Sequence, residues 1–135
     1  MKRLAIALVA MIHTLGAWAG EDYRCKVDRL HDSSGEDTVE SKALRSSYVG
    51  GEFTIDRRTG VMAGKLKNAF NADPVVIDYG SSDNSFKAVT TIRVGEVGAG
   101  SSVNAIVVKE YVEADEKPFT FFDGDTVFFG KCEHF

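Results

Sequence analysis

The sequence is poor in the residue patterns on which many functions depend. Its 135 residues include only two cysteines, two prolines and three histidines, and no apolar run reaches the roughly 20 residues of a membrane-spanning helix. So few cysteines exclude a cysteine-dense mini-scaffold, and 44% hydrophobic residues exclude a disordered tail. Sixteen basic against twenty acidic residues argue against electrostatic binding of nucleic acid. We expect one folded domain that neither inserts into a membrane nor binds nucleic acid.

Patterns typical of catalysis, nucleotide binding and metal binding are also missing. There is no Gly-x-Ser-x-Gly elbow of a serine hydrolase and no Cys-x-x-Cys pair. Segment 95–100 is glycine-rich, but no Gly-Lys-Ser/Thr follows it and a strand is expected next. A calcium loop beginning at Asp32 would need glycine and glutamate where Asp37 and Ala43 stand. We expect no enzyme activity, cofactor or metal; the alternative is an undetected hydrolase whose histidine or paired carboxylates converge in a cleft.

The first nineteen residues predict a secretory signal peptide. Lys2 and Arg3 precede a nine-residue apolar run, and the segment ends in the small-x-small pattern Ala17-Trp18-Ala19. Cleavage before Gly20 would leave residues 20–135 as a single exported domain, periplasmic or extracellular. Because the basic count then falls from 16 to 14 while all 20 acidic residues remain, this domain would have a net charge of −6.

The two cysteines stand near the two ends of that domain. An even cysteine count in an exported chain indicates a disulfide, and Cys25–Cys132 is the one possible pair within the chain. A disulfide holds its Cα atoms about 5.5–6 Å apart. The first strand, around 23–30, must therefore meet the last strand, around 126–132.

Antiparallel pairing across this disulfide would also separate the two histidines of the exported domain. With the cysteines opposite each other, His134 falls near Tyr23 at one end of the strand pair. His31 falls near Thr126 at the other end. The two histidines are therefore not expected to share a metal or catalytic site.

Alternation of apolar and polar residues predicts about eight short strands joined by turns. Two hairpins have clear turn signals, one at 57–60 with Gly60 available for a positive φ, the other at Asp123-Gly124-Asp125. Strands joined by short turns are antiparallel neighbours. The predicted fold is all-β, an antiparallel meander or Greek-key barrel or a sandwich.

Residues 38–48 are open to two interpretations. Asp37 or Thr38 could cap a short helix there, whereas the run of serines favours other structure. The side chains that such a helix would bury are Val39, Ala43 and Leu44.

The last predicted hairpin carries phenylalanine on both of its faces, and one face should join the core. The first face consists of Phe119, Phe121, Val127 and Phe129. Phe122 and Phe128 form the second face, which is either covered by a neighbouring sheet or the loop at 66–74, or exposed as a contact surface for a ligand or partner.

Arg57 and Arg58 stand together at the tip of the other hairpin. They are either solvated turn residues or contacts for an anionic partner.

The Tyr23-x-Cys25 start and the near-terminal Cys132 of an acidic exported β domain resemble the periplasmic inhibitors of C-type lysozyme. The resemblance covers these two ends, and no Ser-Gly-x-x-Tyr segment matches between them. It implies a basic protein partner, which an acidic surface suits. The sequence thus favours a small secreted non-catalytic β domain that binds a protein or a small ligand. The alternatives are a lysozyme-inhibitor-like protein, a carrier whose phenylalanines line a cavity for a small apolar ligand, and the hydrolase.

Overall fold

The structure is a computed structural model of the chain and describes residues 22–35, 38–68, 72–93 and 101–135. The predicted signal peptide and the glycine-rich segment 95–100 lie outside these residues. Within them are eight strands and one helix. In chain order the elements are β1 (Tyr23–Asp32), α1 (Val39–Tyr48), β2 (Glu52–Ile55), β3 (Met62–Gly64), β4 (Val75–Tyr79), β5 (Phe86–Ile92), β6 (Ser102–Val108), β7 (Lys117–Asp123) and β8 (Thr126–His134).

The strands form one antiparallel sheet in the order β3-β2-β1-β8-β7-β6-β5-β4. This sheet curls into a half-barrel, so the predicted all-β, barrel-like fold is confirmed. The first and last strands pair with each other in the middle of the sheet. The seam of the half-barrel therefore lies between β3 and β4, which are consecutive in the sequence but form the two edges.

The pairing of β1 with β8 contains the predicted disulfide. Cys25 lies directly opposite Cys132, with Cα atoms 3.9 Å apart. The bond joins residues 107 positions apart in the sequence. The disulfide, and the meeting of the chain ends that it requires, are confirmed.

A β-bulge after Val27 interrupts this pairing and adds one residue to β1. His31 therefore lies opposite Val127, one position away from the Thr126 that uninterrupted pairing predicts. On the other side of the bulge, toward the start of β1, the expected register is confirmed.

The inner face of the curled sheet forms the hydrophobic core. Burial of each large apolar side chain contributes roughly 1.5–3 kcal/mol. Gly130 makes close packing possible, because a Cβ atom there would lie 2.0 Å from the Lys26 carbonyl oxygen and 2.7 Å from the Phe119 ring. The largest fully buried side chains are Tyr23, Phe53, Phe86, Phe119 and Phe121.

The β7–β8 hairpin distributes its phenylalanines differently from the predicted alternation. Phe121 pairs with Phe128 across the two-residue turn, and directly paired residues share a face of the sheet. Phe128 is therefore buried in the core with Phe121, whereas Phe122 lies on the outer face. The predicted placement of Phe122 and Phe128 on one face is wrong. The two-residue turn pairs Asp123 with Thr126, so odd-numbered residues of β7 share a face with even-numbered residues of β8.

Helix α1 occupies the segment that was open to two interpretations. Thr38 caps it, since the Thr38 hydroxyl oxygen accepts a hydrogen bond from the Ser41 backbone N–H at 3.0 Å. The predicted buried set is only partly right: Leu44 packs on the core, but Val39 is 80% exposed and Ala43 is also exposed. The side that packs inward carries Ser41, Leu44 and Tyr48, at the spacing of one helix face.

Candidate functional site

A surface pocket of about 240 Å³ lies at the end of the half-barrel where β7 ends and β8 begins. We call this end the pocket end. Three residues of the core, Leu66, Phe121 and Phe128, line the pocket and are at most 3% exposed. Tyr48 of α1 is a fourth apolar lining residue, and its ring lies edge-on to the Phe128 ring with centroids 5.1 Å apart. The apolar floor is therefore part of the packed core and is preformed.

Asn68 at the rim of the pocket is a structural link across the seam. Its Oδ1 accepts a hydrogen bond from the Met62 backbone N–H at 2.5 Å. Its Nδ2 donates to the Thr90 hydroxyl at 3.1 Å and to the Gly60 carbonyl at 3.3 Å. The amide thus ties the segment after β3 to β5, on the other side of the seam.

Asn104 and Asp123 form a second polar pair at the rim. Asn104 is buried, and its Nδ2 donates a hydrogen bond to Asp123 Oδ1. Burial raises the pKa of the Asp123 carboxyl, the bond from Asn104 opposes this, and the Asp125 charge raises it again, so the net shift is upward.

Two lysines complete the rim. The Lys65 ammonium lies 5.2 Å from the centroid of the Tyr48 ring, within cation–π distance. Within the described ranges, neither Lys65 nor Lys67 forms an ion pair. The pocket therefore offers an apolar group a floor and offers a polar group two ammonium groups that have no carboxylate partner in the described ranges.

At the opposite end, where β1 begins and β8 ends, four side chains from distant parts of the chain meet. We call this the closed end. The Tyr23 hydroxyl donates to Glu110 Oε2 at 2.8 Å, and His134 Nε2 lies 2.8 Å from Glu110 Oε1. The rings of Tyr23 and His134 are stacked obliquely, with centroids 5.0 Å apart. The fourth member is Arg57, whose guanidinium lies 5.5 Å from the Tyr23 ring centroid.

Arg57 also spans the seam. Its Nε donates to the Tyr79 carbonyl at 2.7 Å, and its Nη2 donates to the Gly80 carbonyl at 3.0 Å. The guanidinium that was a candidate contact for an anionic partner is therefore engaged within the protein. Arg58, the other candidate, is 86% exposed and lies 3.9 Å from Asp56.

The electrostatics of the closed end favour an ionised Glu110. Burial raises the pKa of its carboxyl, but hydrogen bonds from Tyr23 and His134 and the charges of His134 and Arg57 outweigh this, so the net pKa lies below its usual range. Burial, followed by the bond to Glu110, raises the pKa of the Tyr23 phenol far above its ordinary value. Both carboxylate oxygens of Glu110 are thus used to hold neighbouring side chains.

Glu110 was not among the predicted site residues. The run 103–112 is rich in β-branched residues, a composition that favours one long strand, but β6 ends at Val108 and Glu110 lies in the turn that follows. The adjacent charges Lys109-Glu110, which interrupt the apolar alternation, were the available signal for that turn.

The predicted aromatic candidates lie apart. Phe128 lines the pocket, whereas Phe122 is 39% exposed on the outer face. Phe122 belongs to an apolar row that crosses five neighbouring strands by direct pairing. The members of this row are Val75, Val89, Ala105, Phe122 and Val127.

The described residues contain no group of three or more His, Cys, Asp or Glu side chains that could hold a metal ion. Among the same residues, no helix has the length and apolar character needed to cross a membrane.

No protein-family description matches this sequence, and the searches of curated proteins and of solved structures found no significant match. The resemblance to lysozyme inhibitors, based on Tyr23, Cys25 and Cys132, stays a prediction.

Proposed function

We propose that this protein is a small non-catalytic binding domain that holds a small ligand at the pocket end. The observation that supports this is a concave pocket of about 240 Å³ in which an apolar floor meets polar side chains at the rim. Ligand pockets commonly measure roughly 300–1,000 Å³. A smaller pocket suits a single ring or a short chain.

The floor supports binding because it is held independently of any ligand. Leu66, Phe121 and Phe128 are buried by the core around them, so a ligand need not order them. Avoiding that ordering cost favours affinity. Asn68 at the rim is likewise held without a ligand, since it bonds the backbone on one side of the seam and Thr90 on the other.

The closed end supports a structural interpretation of the histidine–carboxylate pair. Glu110 accepts hydrogen bonds on both oxygens, and Tyr23 is completely buried. A group that acts in general acid–base catalysis must reach the substrate proton. We therefore assign Tyr23 and Glu110 to holding the start of β1 and the end of β8 together rather than to a reaction.

An exported location fits this proposal. The Cys25–Cys132 disulfide is typical of oxidising compartments, and the predicted signal peptide points the same way. The ligand would then be a small molecule outside the cytoplasm.

The test is a titration of the exported, disulfide-bonded protein with neutral single-ring and short-chain compounds, represented by phenylacetamide and hexanamide. We expect dissociation constants in the millimolar range, about −4 kcal/mol, as befits such small ligands. Two-dimensional NMR should show shifts concentrated at residues 65–68, 102–104 and 121–128. Shifts elsewhere, or none, would contradict the proposal.

A matched pair of variants locates the binding. Ser102 lines the pocket and is exposed, so Ser102→Phe should fill the mouth and weaken binding at least tenfold. Ser101 is also exposed but does not line the pocket, so Ser101→Phe should bind like the wild type. Equal binding by both variants would place the ligand elsewhere.

A further inference from the structure

We propose that the pocket binds a small organic carboxylate with an apolar body. The ammonium groups of Lys65 and Lys67 hold its carboxylate, and its ring or chain packs on the floor. This inference rests on the proposed function, because it names the ligand class for that pocket.

The local sequence places the two cations on either side of a floor residue. Leu66 is 3% exposed and belongs to the core, while its neighbours Lys65 and Lys67 are exposed and line the same pocket. Burial of Leu66 therefore anchors a short segment that carries one ammonium before it and one after it. A ligand on the floor lies within reach of both flexible lysine side chains.

The two ammonium groups are available for a ligand. Elsewhere in the protein, Lys87 lies 3.4 Å from Asp78 and Lys131 lies 2.9 Å from Glu116. No such carboxylate partner of Lys65 or Lys67 lies in the described ranges. An incoming anion would therefore break no ion pair, and the contact of Lys65 with the Tyr48 ring leaves its N–H donors usable.

The remaining charge of the rim does not cancel the lysines. Among the described residues that line the pocket, Asp123 is the single carboxylate, and its Oδ1 already accepts a hydrogen bond from Asn104. Asp125, whose charge acts on Asp123, is not one of the lining residues. The described lining residues thus carry two cations and one carboxylate, whereas the chain as a whole has four more acidic than basic residues. Such a local reversal favours an anionic group over a cationic one.

A purely inorganic anion would leave the apolar floor of the pocket unused. The side chains of Leu66, Phe121 and Phe128, which form this floor, carry no hydrogen-bond donors. A ligand that uses both floor and rim has an apolar body and one charged end. Phenylacetate, with one ring and one carboxylate, is a suitable probe.

The experiment compares phenylacetate with phenylacetamide, which has nearly the same shape but no charge. Calorimetry or NMR titration of the wild type should show phenylacetate binding about tenfold tighter, as expected for charge-assisted hydrogen bonds. In Lys65→Gln/Lys67→Gln the two compounds should bind equally, with the affinity for phenylacetamide unchanged.

A second double variant controls for net charge. Lys26 and Lys109 are exposed and do not line the pocket, so Lys26→Gln/Lys109→Gln removes the same charge and should keep the preference for phenylacetate. The single variants Lys65→Gln and Lys67→Gln should each lose part of it. Melting curves establish that every variant is folded.

The outcomes separate the two proposals. Equal affinity of the wild type for both compounds, or tighter binding of the amide, would overturn this inference and leave the pocket as a binding site. A preference that survives in Lys65→Gln/Lys67→Gln would overturn the assignment to these lysines. No binding of either compound would overturn the proposed function itself.

Discussion

The closed end and the pocket end belong to the same sheet but use their polar side chains in opposite ways. At the closed end, Tyr23, Glu110 and His134 bond to one another and Arg57 bonds the backbone across the seam. At the pocket end, the rim keeps two ammonium groups without a carboxylate partner among the described residues.

From this difference we expect the closed end to determine stability and the pocket end to determine ligand binding. The closed end has to hold the start of β1, the end of β8 and the seam, which are far apart in the sequence, so ordering them there carries a large entropic cost. The polar contacts and the disulfide offset that cost. Changes at the closed end should therefore alter the free energy of unfolding, while changes at the pocket rim should alter ligand affinity.

The largest expected effect comes from removing the disulfide beside the closed end. Cys25→Ala/Cys132→Ala opens a loop of over a hundred residues, so the free energy of unfolding should fall by about 4–5 kcal/mol. The melting temperature should fall by roughly 15–20 °C. Urea and thermal denaturation measure both, and a loss below about 1 kcal/mol would show that other contacts hold the chain ends together.

The two adjacent arginines give the next largest contrast. Arg57→Ala removes two charge-assisted bonds to carbonyl groups and should cost about 2–3 kcal/mol. Arg58→Ala removes a single exposed ion pair and should stay within about 0.5 kcal/mol of the wild type. Urea denaturation of both variants tests this, and equal losses would contradict the assignment of Arg57 to the seam.

The smallest effects are pH dependences of opposite sign at the two ends. Because the pKa of Glu110 is lowered by folding, its ionised form stabilises the fold above the ordinary pKa of 4.5, and this contribution is lost as the pH falls through the folded pKa. The stability advantage of the wild type over Glu110→Gln should therefore shrink as the pH falls below about 4.5.

Asp123 at the pocket end should show the reverse. Its pKa is raised by folding, so its contribution is present below the ordinary 3.8 and is lost as the pH rises through the folded pKa. The wild type should therefore lose stability relative to Asp123→Asn as the pH rises above the ordinary pKa of 3.8 and through the folded pKa. Urea denaturation at a series of pH values measures the stability difference between the wild type and each of the two variants. If that difference changed with pH in the same direction for both variants, the predicted electrostatic contrast between the ends would be wrong.

Local signals in the sequence were sufficient for most elements of the fold. Gly60 has the positive φ that its turn predicted, and the Asp123-Gly124 signal marks the β7–β8 hairpin. Periodicity was insufficient where the chain departs from regular pairing. The bulge after Val27 shifts one side of the β1–β8 register, and the turn reverses the faces of Phe122 and Phe128, which alternation along a single strand cannot reveal.

The candidate site was predicted only in fragments. Phe128 was a candidate, but Lys65 and Lys67 were not, because an exposed lysine carries no local sign of what lies beside it. The proximity of His134 to Tyr23 followed from the disulfide. Glu110 joined them only because β6 ends before it, a boundary that depends on the turn to β7.

The sequence by itself determined the all-β class, the strand count and the Cys25–Cys132 bond, because turn chemistry, side-chain alternation and a single possible cysteine pair are local or countable properties. The tertiary structure alone decided where the seam lies and which polar groups have partners. Those depend on how one curled sheet brings distant segments together. That long-range packing closes one end of the half-barrel around Glu110 and leaves Lys65 and Lys67 beside an apolar floor at the other.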